Sequence, residues 1–168
     1  MQKGAETAYL SLGSNLGDRA QNLRDATGRL VAAGRVTSVS CFYETEPVEL
    51  TEQPWFLNCA VALETLLTPP ELMKTLLAIE QAMGRRRTKE KGPRTIDIDI
   101  LLYGNEIVDS PELQIPHPAM NERRFVLEPL AEIAPEARHP ALKKSARELL
   151  AELPAGQVVR KIDGLAHS

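Results

Sequence analysis

Two aspartates alternate with isoleucines in the segment Ile96-Asp97-Ile98-Asp99-Ile100. In a β-strand successive side chains point to opposite faces, so Asp97 and Asp99 share one face and the isoleucines share the other. Aspartate is a poor strand former, and two carboxylates one pleat apart repel each other unless a cation lies between them. The alternation therefore predicts a strand that buries its isoleucine face and holds a divalent metal ion at its aspartate face.

A basic segment leads directly into this strand. Its cationic side chains are Arg85, Arg86, Arg87, Lys89, Lys91 and Arg94. Guanidinium groups match phosphate oxygens bidentately, whereas lysine acts as a point charge. An isolated run of this kind is more often a solvated face or an RNA-contacting patch. Beside two metal-binding carboxylates, it indicates phosphate transfer, in which cations and Mg²⁺ neutralise phosphate oxygens. Because the sequence has no Walker-type or kinase-type Gly-rich loop, its nucleotide site would be of another design.

Composition argues against several other classes of protein. The chain of 168 residues has a net charge of −3, which disfavours nucleic-acid binding driven by overall basicity. No apolar run approaches membrane-spanning length, and residues 1–6 lack the apolar core of a signal peptide, so we expect a cytoplasmic protein that does not bind a membrane. Cys41 and Cys59 lie in apolar strand patterns outside any C-x-x-C motif, which favours reduced core thiols over a disulfide.

Hydrophobic periodicity predicts an α+β fold. Before and after the aspartate-bearing strand, the patterns predict strands at residues 8–12, 36–43 and 56–64, and helices from Asp18 to Gly34, from Pro69 to Gly84, from Asn121 to Leu130 and from Ser145 to Leu153. The order β-α-β-β-α-β is that of the ferredoxin-like fold, an antiparallel sheet with helices on one face, here followed by additional C-terminal helices. We expect a single domain over residues 1–168, with a C-terminal tail (residues 154–168) that either adds an edge strand or frays.

Three further polar or aromatic positions stand out. Asn58 lies in an otherwise apolar strand, where its amide is either a satisfied core group or a reader of a heterocycle with paired donors and acceptors. Phe56 and Phe125 would suit the stacking of such a ring, although each alone is typical of a core. His117 lies between two prolines. A lone histidine is more often structural, but flanking prolines fix a loop that presents a side chain to a ligand.

Five motifs occur in order along the chain: Gly13-Ser14-Asn15; Tyr43-x-Thr45-x-Pro47; Phe56-Leu57-Asn58; Gly92-Pro93-Arg94-Thr95-x-Asp97-x-Asp99; and Pro116-His117-Pro118 with Arg123-x-Phe125. Together they resemble the 6-hydroxymethyl-7,8-dihydropterin pyrophosphokinases of folate biosynthesis. The resemblance covers residues 8–140. It implies transfer of diphosphate from ATP to the hydroxymethyl oxygen of the pterin, giving AMP and the pterin diphosphate.

The resemblance also implies a role for individual residues. Asp97 and Asp99 would bind two Mg²⁺ ions that bridge the ATP phosphates and the acceptor oxygen, and Arg85 and Arg94 would be the catalytic arginines. Further ATP contacts would come from Arg87, His117, Arg123 and the backbone of Ile100. The pterin would contact Asn58, the aromatic pair Phe56 and Phe125, and the backbone of Thr45, Glu46 and Val48. The implied partners are small molecules, with no nucleic acid, and we expect a monomer.

The sequence departs from the well-studied bacterial form at three positions relevant to ATP. Lys91 replaces an aromatic residue, and Glu112 and Gln114 replace an arginine and a threonine that contact ATP there. Two other functions remain as alternatives. One is an RNA-binding ferredoxin-like module, which the acidic balance and few aromatic residues disfavour. The other is a different Mg²⁺-dependent phosphoryl or nucleotidyl transferase on the same fold.

Overall fold

Ten strands and four helices make up the part of the chain that the computed structural model describes, residues 4–46, 55–84 and 95–162. The strands are β1 (Glu6–Ser14), β2 (Arg35–Val39), β3 (Phe42–Thr45), β4 (Phe56–Thr65), β5 (Asp97–Tyr103), β6 (Val108–Asp109), β7 (Gln114–Ile115), β8 (Arg138–His139), β9 (Lys144–Ser145) and β10 (Val159–Ile162). The helices are α1 (Arg19–Arg29), α2 (Pro69–Ala82), α3 (Arg124–Ile133) and α4 (Ala146–Glu152), with 3₁₀ turns at Leu30–Ala32 and Met120–Glu122.

The main sheet is antiparallel, with the strand order β10-β3-β4-β1-β5 and with β2 also paired to β4. Strands β6 and β7 form a separate ribbon, as do β8 and β9. Since β2 and β3 together replace one predicted strand, the succession β1, α1, β2 with β3, β4, α2, β5 is the predicted β-α-β-β-α-β order. The predicted α+β, ferredoxin-like fold with additional C-terminal helices is confirmed.

The predicted strand over residues 36–43 is wrong in one respect, because it is interrupted between β2 and β3. The Ser40 hydroxyl accepts the Ala60 N–H at 2.8 Å and donates to the Cys41 carbonyl at 2.7 Å. The Cys41 N–H donates to the Glu132 carboxylate at 3.0 Å. The Ser40 N–H keeps a backbone partner, the Ala60 carbonyl, but side chains accept the N–H groups of Ala60 and Cys41. The chain thus leaves β2 and starts β3 in a new register with β4.

The C-terminal helices begin and end near the predicted residues. Helix α3 begins at Arg124 instead of Asn121, because a 3₁₀ turn precedes it, and it extends three residues past Leu130. Helix α4 has Ser145 as its N-cap: the hydroxyl of Ser145 accepts the Glu148 N–H, and the Glu148 carboxylate accepts the Ser145 N–H. This reciprocal pair is a capping box, which satisfies two backbone donors at the start of the helix.

The sheet has a helix layer on each face. Apolar side chains of α1 and α2 pack on one face, with Leu10 and Ile98 among the strand residues in that core. Side chains of α3 and α4 pack on the other face, against Ala60 and Leu101. We call this second face the site face, because alternation along β5 turns Asp97 and Asp99 towards it. The predicted burial of the isoleucine face is confirmed, since Ile98 and Ile100 are only 5% and 6% exposed.

The C-terminal tail adds an edge strand. All four residues of β10 pair with β3, so the predicted alternative of a frayed tail is wrong for residues 159–162. Cys59 is a buried free thiol, whose pKa is raised to about 12 by burial, and Cys41 is a half-buried one. Within the described ranges, no helix is long and apolar enough to cross a membrane.

Candidate functional site

Predicted substrate and metal residues lie in one row across three neighbouring strands. Gly13 on β1 is paired with Asn58 on β4 and with Asp97 on β5. Adjacent strands are about 4.8 Å apart, so Asn58 and Asp97 stand roughly 10 Å from each other with Gly13 between them. Glycine has no side chain to occupy the intervening surface. The row is therefore an open floor with an amide at one end and a carboxylate at the other.

The amide end of the row depends on the absence of a side chain at Gly13. A Cβ atom at this position would lie 2.6 Å from Nδ2 of Asn58 and 3.5 Å from Cδ1 of Phe56. The first distance is well below van der Waals contact, so any larger residue would displace the Asn58 amide. In the sequence, Gly13 stands out only as part of the Gly13-Ser14-Asn15 motif. Its role comes from contacts between β1 and β4 that no local pattern specifies.

Two buried acceptors in this region have no partner. Within the described residues, neither Oγ1 of Thr45 nor Oδ1 of Asn58 has a hydrogen bond, although Thr45 is 2% and Asn58 3% exposed. Buried polar atoms are nearly always hydrogen-bonded, because leaving one unpaired is costly. Phe56, paired with Thr45 across the sheet, is half-buried next to them. These unsatisfied atoms indicate a ligand with hydrogen-bonding groups at the amide end of the row.

Helix α2 supports strand β5 at the carboxylate end of the row. The Ile98 N–H, between the two aspartates, donates to the Glu80 carboxylate at 2.7 Å. Strand β5 is an edge strand of the described sheet, so the Glu80 carboxylate accepts a backbone N–H that would otherwise pair with a neighbouring strand. Glu80 is 2% exposed and lies four residues after Leu76 on the buried face of α2. An acid at a buried helical position was the available sequence signal for this residue, which the site prediction omitted.

His117 lies beside the carboxylates. Its backbone N–H donates to the Leu101 carbonyl at 3.0 Å, and its Nδ1 accepts the Ala119 N–H at 3.2 Å. Burial lowers the pKa of His117, while the nearby Asp99 raises it and Arg123 lowers it. With Nδ1 used as an acceptor, the neutral ring carries its proton on Nε2, which is then a donor. The structure thus brings together three of the predicted residues, His117, Asp99 and Arg123.

A cavity of about 460 Å³ opens next to Asp99 at the edge of β5. Its walls come from α2, from β5 and from the segment around β7, and they are formed by Met73, Leu76, Leu77, Ile98, Asp99, Ile100, Pro111, Glu112, Leu113, Gln114, His117 and Pro118. Mostly apolar walls with a few polar groups, here two carboxylates, an amide and an imidazole, are typical of a small-molecule site. Ile100 lines this cavity although its side chain is mostly buried in the core.

Some of the remaining predicted site residues lie within the described part of the chain and others do not. Arg85, Arg87, Arg94 and Val48 lie outside the described residues. Phe125 is half-buried on α3 on the site face, and the Arg123 guanidinium lies 5.6 Å from the centre of its ring. The backbone of Glu46 contacts the residues before β10, because its N–H donates to the Val158 carbonyl at 3.4 Å and its carbonyl accepts from the Gln157 amide at 3.4 Å.

Asp97 and Asp99 fit a divalent cation that is bound together with a phosphate ligand. Both are half-buried on the site face, and oxygen ligands suit Mg²⁺. Among the described residues there is no group of three or more His, Cys, Asp or Glu side chains arranged to hold an ion alone. Mg²⁺ usually takes one or two carboxylates and completes its shell with water and substrate phosphates, and two aspartates match that requirement.

Comparison with known sequences identifies one family. The profile of the 7,8-dihydro-6-hydroxymethylpterin-pyrophosphokinase (HPPK) family matches residues 9–135. The 2-amino-4-hydroxy-6-hydroxymethyldihydropteridine pyrophosphokinase of Bacillus subtilis is 48% identical over 136 residues, covering 80% of this chain and 81% of the relative. The enzyme of the same name from Methylorubrum extorquens is 48% identical over 152 residues, or 89% and 95% of the two chains.

Other relatives are much longer proteins. The folic acid synthesis protein FOL1 of Dictyostelium discoideum is 43% identical over 159 residues, which cover 95% of this chain but 24% of FOL1. This chain therefore spans about a quarter of that relative. Among solved structures, the Plasmodium falciparum HPPK-DHPS crystal structure with pteroate superposes with a TM-score of 0.70 at 16% identity, covering 90% of this chain and 45% of the other. At that identity the likeness supports the fold. The match over residues 9–135, together with relatives of similar length at 48% identity, shows that this chain belongs to the 7,8-dihydro-6-hydroxymethylpterin-pyrophosphokinase family.

Proposed function

We propose that the chain transfers diphosphate from ATP to the hydroxymethyl group of 6-hydroxymethyl-7,8-dihydropterin, giving AMP and the pterin diphosphate for folate biosynthesis. The observation that carries this proposal is the row from Asn58 over Gly13 to Asp97. It provides an unpaired amide acceptor for a heterocycle and a metal-binding carboxylate on one open floor. The names of the relatives and the family support the same reaction.

The pterin binds at the amide end of the row. Its pyrimidine edge carries adjacent donors and acceptors, which suit the Asn58 amide and the unpaired Thr45 hydroxyl. The rings of Phe56 and Phe125, both half-buried on the site face, stack on the two faces of the bicycle. The backbone of Val48 and the carbonyl of Glu46, whose N–H already donates to the Val158 carbonyl, contact the edge of the pterin. With its ring held there, the pterin directs its hydroxymethyl group along the row towards Asp97.

ATP binds at the carboxylate end. The adenine occupies the cavity beside Ile100, and His117 donates its Nε2–H to a phosphate while Arg87 and Arg123 contact phosphates as cations. Asp97 and Asp99 hold two Mg²⁺ ions, and bound Mg²⁺ supplies Lewis-acid neutralisation of the phosphate oxygens. Arg85 and Arg94 add positive charge around the β-phosphorus. Catalysis then rests on positioning and charge neutralisation, without a protein general base.

One assay tests the reaction. The protein is incubated with ATP, Mg²⁺ and 6-hydroxymethyl-7,8-dihydropterin, and the adenine nucleotides are separated. We expect AMP in a one-to-one ratio with the pterin diphosphate. EDTA, which removes Mg²⁺, should abolish formation of AMP, because without the metal the aspartate carboxylates repel the ATP phosphates. Formation of ADP instead would indicate monophosphoryl transfer, and absence of both nucleotides with folded protein would overturn the proposal.

Replacing Gly13 with alanine is expected to reduce kcat/KM for the pterin by roughly 10- to 100-fold, since displacement of a binding group by about 1 Å can have an effect of this size. The new Cβ would meet Nδ2 of Asn58 at 2.6 Å and force the amide away from its position. Steady-state kinetics with pterin varied at saturating ATP measures the loss.

The matched control for this prediction is Gly28→Ala. A Cβ at Gly28 on α1 meets nothing within 4 Å, so the same chemical change is made in open space. We expect wild-type kinetics and a gain of about 0.5–1 kcal/mol in the free energy of unfolding, because alanine is the better helix former. Equal kinetic effects of the two substitutions would show that Gly13 has no special role.

We also propose that the chain works as a cytoplasmic monomer with no nucleic-acid partner. The net charge of −3 supports the last point, because the cations near the site are balanced elsewhere in the chain. Light scattering coupled to size-exclusion chromatography measures the oligomeric state. Binding of a labelled single-stranded RNA at physiological salt, competed by ATP, would favour the RNA-binding alternative.

A further inference from the structure

The C-terminal strand covers an edge of the sheet beside the proposed pterin residues. Strand β10 pairs residue by residue with β3, with Arg160 opposite Glu44 and Val159 opposite Thr45. On its other side β3 pairs with the start of β4, where Glu44 is opposite Leu57. Strand β10 therefore continues the sheet next to the strands that present Thr45, Phe56 and Asn58. It lies beyond residues 9–135, which the family profile matches.

Four residues form a cluster at this edge, which we call the C-terminal clamp: Arg19, Glu44, Trp55 and Arg160. Each oxygen of the Glu44 carboxylate accepts from one arginine, Oε2 from Arg19 at 2.9 Å and Oε1 from Arg160 at 2.8 Å. The hydrogen bond from Arg19 is the main cause that lowers the pKa of Glu44, and Arg160 adds to it. The Glu44 side chain is 20% exposed, so this carboxylate is more shielded than an ordinary surface acid.

Both arginines also hold Trp55. Arg19 donates from Nη1 to the Trp55 carbonyl at 2.8 Å, and the Arg160 guanidinium lies 5.1 Å from the centre of the indole ring. The second contact has the distance of a cation–π interaction. Trp55 immediately precedes β4, and Glu44 lies near the end of β3. The C-terminal clamp thus ties together the point where the chain leaves β3 and the point where it enters β4.

The C-terminal clamp acts from the face of the sheet opposite to the pterin. Glu44 is paired with Leu57, which belongs to the core under α1 and α2, whereas Asn58 and Phe56 point to the site face. None of the four clamp residues needs to touch the pterin. Their effect would pass through the backbone of β3 and β4, whose relative position determines the spacing between Thr45, Phe56 and Asn58.

We propose that Arg160 is a positioning residue for the pterin, which holds the end of β3 and the start of β4 at the separation required for ring binding, through Glu44 and Trp55. This inference rests on the proposed function. It assigns a role to a strand outside residues 9–135, which the family profile matches, and it predicts that pterin binding, but not ATP binding, depends on the C-terminal segment.

The test compares Arg160→Leu with Lys161→Leu. Both substitutions remove one positive charge from β10, but Lys161 is exposed and points away from the C-terminal clamp because it is the next residue along the strand. For Arg160→Leu we expect the KM and the Kd for the pterin to rise roughly 3- to 10-fold, the size of a partly exposed ion pair and a cation–π contact. The KM for ATP and kcat should change less than about 2-fold, because a substitution far from the ATP site and from the reacting atoms usually couples to them only weakly. Lys161→Leu should match the wild type.

A second measurement tests the contact between Arg160 and Trp55 without an activity assay. Trp55 is the single tryptophan of the chain, so with excitation at a wavelength that tyrosine does not absorb, quenching of the fluorescence by acrylamide reports on its ring alone. Removal of the guanidinium above the ring should increase quenching in Arg160→Leu, while Lys161→Leu should leave it unchanged. Arg160→Lys, which keeps the charge but lacks the planar group, should lie between the two. This variant also serves if Arg160→Leu does not fold.

The outcomes separate this inference from the proposed function. Wild-type protein that forms AMP, together with an Arg160→Leu variant that has wild-type pterin KM and wild-type quenching, would overturn the role of Arg160 alone. Equal increases of the KM for ATP and for the pterin would indicate general destabilisation and would also overturn it. Wild-type protein that forms no AMP would reject the proposed function. The quenching comparison would then still test whether Arg160 holds Trp55.

Discussion

Replacing Asp97 or Asp99 with asparagine is expected to lower kcat/KM by roughly 1,000-fold or more, because bound metal supplies several kcal/mol of charge stabilisation and each tenfold in rate corresponds to about 1.4 kcal/mol. Asparagine keeps the shape and the oxygen of aspartate but loses the negative charge that Mg²⁺ requires. Each variant should lose metal binding in the presence of a nonhydrolysable ATP analogue, which electron paramagnetic resonance of Mn²⁺ measures directly.

The fold should survive these substitutions. The backbone of β5 is held by its pairing with β1 and by the hydrogen bond from Ile98 to Glu80, neither of which involves the aspartate side chains. Removing one of two neighbouring like charges also relieves repulsion in the absence of metal. We therefore expect the midpoint of thermal unfolding without metal to stay level or to rise.

Asp25→Asn is the matched control for the two aspartate variants. Asp25 is exposed on α1, which packs on the face of the sheet opposite to the site face, so the same loss of charge takes place away from the site. It should leave turnover and Mn²⁺ binding unchanged. An Asp97→Asn or Asp99→Asn variant with near wild-type turnover would contradict the metal role of that residue, and with it the central element of the proposed mechanism.

The sequence was informative where structure follows from local periodicity. Alternation at Ile96–Ile100 predicted which face of β5 is buried, because the period of a strand is two whatever its neighbours are. The order of strands and helices predicted the sheet topology, since short connections leave few ways to arrange them. The Asn58 signal was also local: an amide in an apolar strand requires either a partner or a ligand, and its Oδ1 has no partner within the described residues.

Features that depend on residues distant in the chain could not be predicted. The break between β2 and β3 uses Glu132, which is 91 residues beyond Cys41. The C-terminal clamp joins Arg160 to Glu44 across 116 residues. Neither contact leaves a periodic pattern, and glutamate and arginine are ordinary surface residues in a sequence. The open floor over Gly13 was missed for the same reason, because the value of a missing side chain is visible only beside Asn58 on the next strand.

Replacing Asn58 with leucine is expected to raise the KM and the Kd for the pterin roughly 100-fold without loss of stability. Two hydrogen bonds of about 1.5 kcal/mol each would be lost from the bound pterin, and every 1.4 kcal/mol is tenfold in affinity. Leucine has the same branching and the same number of side-chain heavy atoms as asparagine, so its two methyl groups take the places of Oδ1 and Nδ2 with the backbone of the strand unchanged. The Kd for ATP should remain at the wild-type value. Isothermal titration calorimetry with each substrate separately measures both constants.

The stability of Asn58→Leu distinguishes a ligand-binding amide from a structural one. If Asn58 were a satisfied core amide, its removal would leave a partner unpaired and would cost about 1–3 kcal/mol of unfolding free energy. Because its Oδ1 has no partner within the described residues, we expect no such cost, and a gain is consistent with the removal of an unpaired buried acceptor. Thermal or chemical unfolding of the free protein measures the difference.

Ser40→Ala supplies the opposite case on the same part of the sheet. The Ser40 hydroxyl is fully buried and satisfied, since it accepts the Ala60 N–H at 2.8 Å and donates to the Cys41 carbonyl at 2.7 Å. Its removal should lower the unfolding free energy by about 1–3 kcal/mol, because the Ala60 N–H is left unpaired, and should leave the Kd for the pterin nearly unchanged. A structural polar group is thus expected to affect the unfolding free energy and not the Kd for the pterin, and a ligand-binding group is expected to do the reverse. If Asn58→Leu behaved like Ser40→Ala, the amide would be structural, and the pterin would have to be recognised elsewhere on the site face.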